Sequence, residues 1–361
     1  MSLKQSVVEL AASKGFSNTV IGALEPLSSE LVHYKDWLDR GYSAGMDYMK
    51  RNPEQRTSPQ LLYPGSRSAI IVSVSYYTEK PESPGAFYGN VARYAVGLDY
   101  HAVIRRKLRE LRDLLSEKLS LNIVGKPFTD SVALYEQGFS NRHGLGFAGK
   151  NTLIIGPKLS GSYNFVAELF VDVEIEADEK YNGTCGQCFR CGAACPTDAI
   201  VEPGSVNANL CISYLTIENK EGIPIELREK LGSWVFGCDI CQEVCPYNSR
   251  PPETPWSEFR PESGVGHYLY LPDLLDISTD EEFRKRFETT PLRRPKRRGL
   301  LRNALVVLGN ELFKVSNGEQ TKTVADDVVL NVVRRLKRFA DAEQDPMLVE
   351  HAQWAISRYV D

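Results

Sequence analysis

Apolar residues recur at helical spacing from Leu3 to Ser13, with Val7, Leu10 and Ala11 on one face. A second helix is predicted over Ser28 to Arg40. From Gly45 to Arg56 the pattern breaks into a polar, turn-rich connection. Ala69 to Tyr76 is β-branched and almost continuously apolar, which predicts a central strand. A Pro- and Gly-rich loop follows from Pro81 to Gly89. Asp99 is placed to cap a long helix running to about Leu119. That helix carries Arg105, Arg106, Lys107, Arg109 and Arg112, read as a solvated face. Further strands are predicted at Ser131 to Tyr135, Asn151 to Ile155 and Phe165 to Ile175.

Beyond residue 250 the alternation disappears. Pro251-Pro252 to Pro261 reads as a linker. Leu300, Leu301, Ala304, Leu305 and Leu308 then repeat at helical spacing, as do Val328, Val329, Val332, Val333 and Leu336. Met347 to Val360 forms a third such segment, with Pro346 at its start. Short helices in series suggest a helical-repeat module. The linker thus sets a helical tail apart from the residues before it. Two or three domains also suit 361 residues at roughly 150 per domain.

A net charge of −4 gives no overall nucleic-acid signature, so any basic surface must be local. One dense group exists: Arg293, Arg294, Lys296, Arg297 and Arg298, with Arg302 one turn on. Beside Lys337 and Arg338 it reads as a phosphate-binding patch, against the plainer reading of a solvated loop. The first residues lack an apolar signal core and a twin-arginine pair, and no run is long and apolar enough for a membrane span. A cytoplasmic protein with no membrane partner is expected.

The chemistry concentrates in the cysteines. Cys185, Cys188, Cys191 and Cys195-Pro196 follow the spacing of a bacterial [4Fe–4S] ferredoxin. Cys238, Cys241 and Cys245-Pro246 form a second, incomplete run, and Cys211 lies between them. In the two-cluster arrangement the last cysteine of each run serves the other cluster. This predicts Cys185, Cys188, Cys191 and Cys245 on one cluster, and Cys195, Cys211, Cys238 and Cys241 on the other. Zinc does not call for this spacing, and tight C-x-x-C pairs without a secretory signal argue against disulfides.

A glycine-rich stretch runs from Arg142 through Gly144, Gly146 and Gly149 to Lys150-Asn151. Its glycines would let the backbone approach a bulky or anionic ligand. The spacing is neither that of a phosphate loop nor that of a dinucleotide fingerprint. Together with Val96 to His101, Thr129-Asp130-Ser131 through Glu136, and the eight cysteines, this stretch resembles the epoxyqueuosine reductase family. The likeness extends from near the N-terminus to about residue 310. It departs at Phe147, where a tryptophan is expected.

The resemblance implies an α/β cobalamin-binding domain (1–175), a two-cluster ferredoxin-type domain (176–255) and a HEAT-like helical module touching tRNA (256–361). It implies reduction of epoxyqueuosine to queuosine at the tRNA wobble position. The cofactors would be cobalamin and two [4Fe–4S] clusters, fed by an external donor such as a flavodoxin, a ferredoxin or a reductase. The protein would be a monomer. Asp130 would be the proton donor, a role that requires burial to raise its pKa. Asp130 itself, with Arg56, Lys150, Asn151, Thr152, Ile155 and Ser213, would touch the cobalamin. No histidine would ligate cobalt, because the Asp-x-His-x-x-Gly pattern is absent and His101 and His143 read as polar contacts. A corrinoid reductive dehalogenase would share these cofactors and stands as the alternative.

Overall fold

The computed structural model describes residues 2–157, 160–319 and 324–359. Helix α1 (Leu3–Ser13) begins at a capping box in which Ser2 and Gln5 satisfy each other's backbone N–H groups. Strand β1 (Asn18–Gly22), helix α2 (Ser28–Asp39) and strand β2 (Ser68–Ser75) follow, and β2 is buried along its whole length. Strand β3 (Tyr88–Val91) precedes helix α3 (Tyr100–Leu119), capped by the Asp99 carboxylate at the His101 N–H as the sequence predicts. Strand β4 (Gly125–Phe128), helix α4 (Glu136–Arg142) and strand β5 (Asn164–Val171) complete the first region.

These strands form a four-stranded sheet in the order β1-β2-β5-β4. Every pairing in it is antiparallel, so the expected α/β region has helices on both faces but no parallel ladder. Ile70, Val72 and Val74 face α1 and α3, where Ile104, Leu108 and Leu111 are fully buried. Ala69, Ile71, Phe128 and Phe170 face the other way, against Phe139 of α4. This is the two-sided burial expected from the apolar run of β2.

The strand predicted at 131–135 does not form. The chain leaves β4 through Thr129 and turns at Asp130, whose φ is +46°. The Asp130 N–H goes to the Glu136 carboxylate at 2.7 Å instead of to a ladder. The strand predicted at 151–155 shrinks to Ile154–Ile155, paired with Phe147–Ala148.

The second sheet joins distant parts of the chain. Strands β6 (Trp234–Phe236) and β7 (Tyr268–Tyr270) flank β3, giving the order β6-β3-β7. One strand therefore comes from each of the three sequence regions. Between β5 and β6 lies helix α5 (Ile212–Ile217), starting immediately after Cys211. Helices α6 (Lys296–Ser316), α7 (Asp326–Ala342) and α8 (Pro346–Ser357) pack on the second sheet. Val235 and Phe236 share one buried apolar cluster with Leu301, Leu305, Val332 and Ala352. Helix α8 ends three residues before Val360, which lies outside the described residues.

The proline-rich segment expected to be a linker is a packed strap. Trp256 and Phe259 are buried in the core of the first sheet. The Trp256 Nε1–H donates to the Lys14 carbonyl at 3.0 Å, and Thr254 donates its N–H to Tyr77. A Cβ on Gly15 would sit 2.6 Å from the Trp256 Nε1 atom, so glycine is what lets the strap close.

Candidate active site

Asp130 stands at the end of β4 on a left-handed turn. The Tyr100 hydroxyl donates to its carboxylate at 2.5 Å, and His101 Nε2 lies 3.9 Å from the same oxygen. The imidazole is oriented from behind, since Asp99 accepts from both the His101 backbone N–H and Nδ1. Burial works against the Asp99 carboxylate, but the bonds from His101 hold it below its ordinary pKa. The Asp130 side chain is 67% exposed. The protein alone does not provide the burial expected of a proton donor; cover must come from what binds.

Across from Asp130 are Tyr48, Glu218 and Arg294. The Arg294 guanidinium forks onto Glu218 at 2.7 and 3.1 Å, and its charge reaches Tyr48 and Asp130. Burial, aided by the Glu218 and Asp130 charges and opposed by Arg294, pushes the Tyr48 hydroxyl up to about 12. Inward from Asp130, tyrosine rings are in series. Tyr100 lies 6.2 Å from Tyr94, and Tyr94 lies 6.4 Å from Tyr76, centroid to centroid. Tyr76 hydrogen-bonds Gln242, the neighbour of Cys241. A continuous packed path thus connects Asp130 to the cysteine region.

The eight cysteines are half-buried free thiols that fall into two groups. Cys185, Cys188, Cys191 and Cys245 line one cavity. Burial pushes the Cys191 thiol up, and Cys185 and Cys245 add to it. In the other group, burial pushes Cys241 up to about 12, with Cys211 adding. Cys238 responds to Cys241 and Cys211, and Cys211 to Cys195. Cys185, Cys188, Cys191 and Cys245 are thus neighbours, and so are Cys195, Cys211, Cys238 and Cys241. Among the described residues, no three His, Cys, Asp or Glu side chains are close enough to hold a single metal ion. Thiols spread around a cavity suit a four-iron cube better than one zinc, which would draw four sulfurs to about 2.3 Å from its centre. The second group is braced by Arg93, 8% exposed, whose side chain reaches Asp239 at 3.1 Å and Glu243 at 2.7 Å.

The glycine stretch serves the chain itself. A Cβ on Gly144 would lie 2.3 Å from the Glu179 carbonyl oxygen, and one on Gly146 would lie 2.4 Å from the Ile155 carbonyl oxygen. The close approach is backbone to backbone, not backbone to ligand. Lys150 does not extend into open space: its ammonium donates to the Gly186 carbonyl at 2.7 Å, inside the first cysteine loop. Ile155 and Asn151 line the same cavity, and the Asn151 side chain also bonds Cys241. Thr152 sits on a left-handed turn closed by its N–H to the Gly149 carbonyl. Arg56 donates to the Tyr48 carbonyl at 2.8 Å, and its buried Nε has no partner among the described residues. Ser213 lies in α5, one residue before Tyr214, whose hydroxyl accepts the Gly45 N–H.

The basic group divides. Arg302 is fully buried, so the expected RNA contact there is overturned. It donates to the carbonyls of Asn219, Glu221 and Leu215 and braces the turn after α5. Arg297 is largely covered and paired with Glu343, and Arg298 is paired with Asp345. Arg293, Arg294 and Lys296 remain exposed. They are not remote from the site, since the Arg293 charge acts on Asp99 and that of Arg294 on Asp130.

Residues 184–248 match the 4Fe-4S double cluster binding domain, and residues 56–131 match the family model of epoxyqueuosine reductase QueG. The epoxyqueuosine reductase of Escherichia coli K12 is 34% identical over 366 residues, covering 99% of this chain and 90% of its own length. The chain belongs to the epoxyqueuosine reductase family. A solved epoxyqueuosine reductase with an epoxyqueuosine-modified tRNA-Tyr stem loop superposes with a TM-score of 0.80 at 28% identity, covering 99% of this chain and 98% of that one. The Bacillus subtilis epoxyqueuosine reductase also superposes at 0.80, with 27% identity and 99% coverage of both chains. In that structure an aspartate catalytic loop is swung out of the active site.

Three residues of this epoxyqueuosine reductase site escaped the sequence reading. Tyr100 and Glu136 lie inside stretches that carried the resemblance, but nothing in their spacing marks them as Asp130 partners. Glu168 sits in an apolar strand and is brought behind Asp130 only by the pairing of β5 with β4.

Proposed function

We propose that this chain reduces epoxyqueuosine to queuosine in tRNA, the last step of queuosine biosynthesis, with two [4Fe–4S] clusters and cobalamin as cofactors. The family membership favours this over a dehalogenase. The observation that carries the site reading is Asp130: an accessible carboxyl on a strained turn, gripped by Tyr100 and Glu136 and faced by His101. An aspartate loop that moves in the Bacillus subtilis relative supports the same reading.

Removing the epoxide oxygen takes two electrons and two protons. When bound, reduced cobalamin supplies the electrons that open the epoxide. A corrinoid would be held beside Asp130 by groups other than these imidazoles: His101 is engaged by Asp99, His33 is exposed on α2, and His143, His267 and His351 are buried. Arg56, with its unpartnered Nε, and Ser213 are the proposed cobalamin contacts; Asn151 links the two cysteine groups. An external donor such as a flavodoxin, a ferredoxin or a reductase would supply the electrons, and Cys195, Cys211, Cys238 and Cys241 would hold the second cluster next to Gln242. The three regions keep the roles of cobalamin domain, two-cluster domain and HEAT-like tRNA-contacting module, and the chain acts as a monomer. Asp130 delivers a proton to the oxygen leaving carbon, and the bound base supplies the cover that the open carboxyl lacks.

The test is anaerobic turnover of epoxyqueuosine tRNA with added cobalamin. Asp130→Asn is expected to keep clusters and cobalamin and to lose activity by about 100-fold or more. A variant that turns over at the wild-type rate removes Asp130 from the mechanism.

A further inference from the structure

The reduction converts an epoxide, two electrons and two protons into an alkene and one water. Asp130 carries one proton, and the second is needed while the substrate covers the site. We propose that Glu136 and Glu168 form a proton store behind Asp130, acting through it as positioning residues to supply that second proton.

The geometry begins with Glu168. It sits in the middle of β5, paired with Ile71 of β2 and Phe128 of β4. It is 0% exposed, and among the described residues neither carboxyl oxygen has a hydrogen-bond partner. Strand alternation points it to the same face as Val166 and Phe170, among the apolar side chains under α4. A bare carboxylate there would cost far more than holding a proton. Burial therefore pushes its pKa well above the carboxylate range, and the Glu136 and Asp130 charges push it further.

Glu136 is the middle member. It opens α4, and its Oε1 accepts the Asp130 N–H. Burial pushes it up to about 8, the Asp130 charge adds, and the Asp130 N–H opposes. The charges acting on these two carboxyls are acidic: Asp130 on Glu136, and Glu136 and Asp130 on Glu168. The bases, Arg294 and His101, meet only the outer end, Asp130, together with Tyr100. The gradient runs from an open carboxyl, through one poised near neutrality, to one that keeps its proton. Packing gives no reason for Glu168, because an apolar residue there would be less costly than an unpartnered acid.

The balance closes within groups already named. One proton passes from the Asp130 carboxyl to the epoxide oxygen as the first carbon–oxygen bond breaks. Glu136 reprotonates Asp130, and Glu168 restores Glu136. The second proton leaves Asp130 for the departing hydroxide as the remaining carbon–oxygen bond breaks, giving water and the alkene. The two electrons are those of the proposed reaction, on which this inference rests.

The experiment uses the cluster-loaded, cobalamin-supplemented enzyme and an epoxyqueuosine-modified stem loop, with wild type, Glu136→Gln, Glu168→Gln and Glu136→Asp compared across pH. Infrared spectra, absolute and as the difference between pH 6 and pH 9, are recorded alongside. Both glutamine variants are expected to keep cluster absorbance and KM. Their kcat should fall about 10- to 100-fold, and the ionisation near pH 8 should vanish from their kcat profile. Glu136→Asp should restore part of the rate. Two acid carbonyl bands are expected in wild type: one that disappears between pH 6 and pH 9 and is lost in Glu136→Gln, and one present in the absolute spectrum at both pH values and lost in Glu168→Gln. Wild-type kcat and pH profile in both glutamine variants would overturn the proposal. So would a KM rise with an unchanged pH profile, the mark of a structural role. Should Glu168→Gln fail to fold, absence of the second acid carbonyl band from the absolute spectrum of wild type would overturn it by itself. Failure of wild type to turn over would count against the proposed function instead, and the infrared band would still decide the protonation.

Discussion

At the scale of single residues, one side chain of ordinary type has work its sequence context hides. Arg302 sits in a run of arginines yet spends all its visible hydrogen bonds inside the protein. Burial depresses its pKa to about 10. Removing it leaves several carbonyls buried without donors, so Arg302→Ala should cost about 2–5 kcal/mol in chemical denaturation. The salt dependence of tRNA binding should be unchanged in that variant. A flattened salt slope would return Arg302 to the RNA-binding surface.

At the scale of elements, two connections decide the site. Cys211 is the N-cap of α5, held where it meets Cys238 and Cys241. Cys211→Ser should therefore lower iron after anaerobic reconstitution from about eight per chain to about four. The spectrum of the cluster at Cys185, Cys188, Cys191 and Cys245 should remain. The turn before α6 presents Arg293 and Arg294 at the mouth of the Asp130 site, so replacing both with serine should weaken stem-loop and whole-tRNA binding alike. Each lost phosphate contact should reduce the logarithmic salt slope by about one. Loss confined to whole tRNA would restore the remote docking patch expected from charge density alone.

At the scale of the whole molecule, stability should carry the signature of the buried acids. Glu136 titrates near 4.5 when free and near 8 in the fold. Between those values the folded chain keeps a proton that the unfolded chain has released. Stability therefore falls as pH rises through this window and levels off above it. Glu168 acts in the same direction. Glu168→Met should raise stability at pH 8 by about 1–3 kcal/mol, with a much smaller gain at pH 5, measured by anaerobic thermal melting. A gain independent of pH would mean that Glu168 carries no shifted proton. Regional unfolding is not expected to be independent either. The β6-β3-β7 sheet takes a strand from each region, and the strap at Trp256 ties the third to the first.

The sequence alone determined whatever depends on short-range spacing. Helices α1, α2 and α3 fall where periodicity and the Asp99 cap place them, because helix formation is decided over a few turns. The cysteine spacing likewise marked the two-cluster region, while contacts across the chain bring Cys245 to the first run and Cys211 to the second. The family was legible through motifs, and Asp130 was a candidate only through that resemblance. Tertiary structure alone decided which groups surround those motifs. Burial turned Arg302 from a surface charge into a brace, and strand pairing put Glu168 behind Asp130. Backbone crossings explained Gly144 and Gly146, and the packed strap replaced a linker. Each of these rests on contacts between residues far apart in the chain, and a local pattern of apolar and polar positions does not encode such contacts.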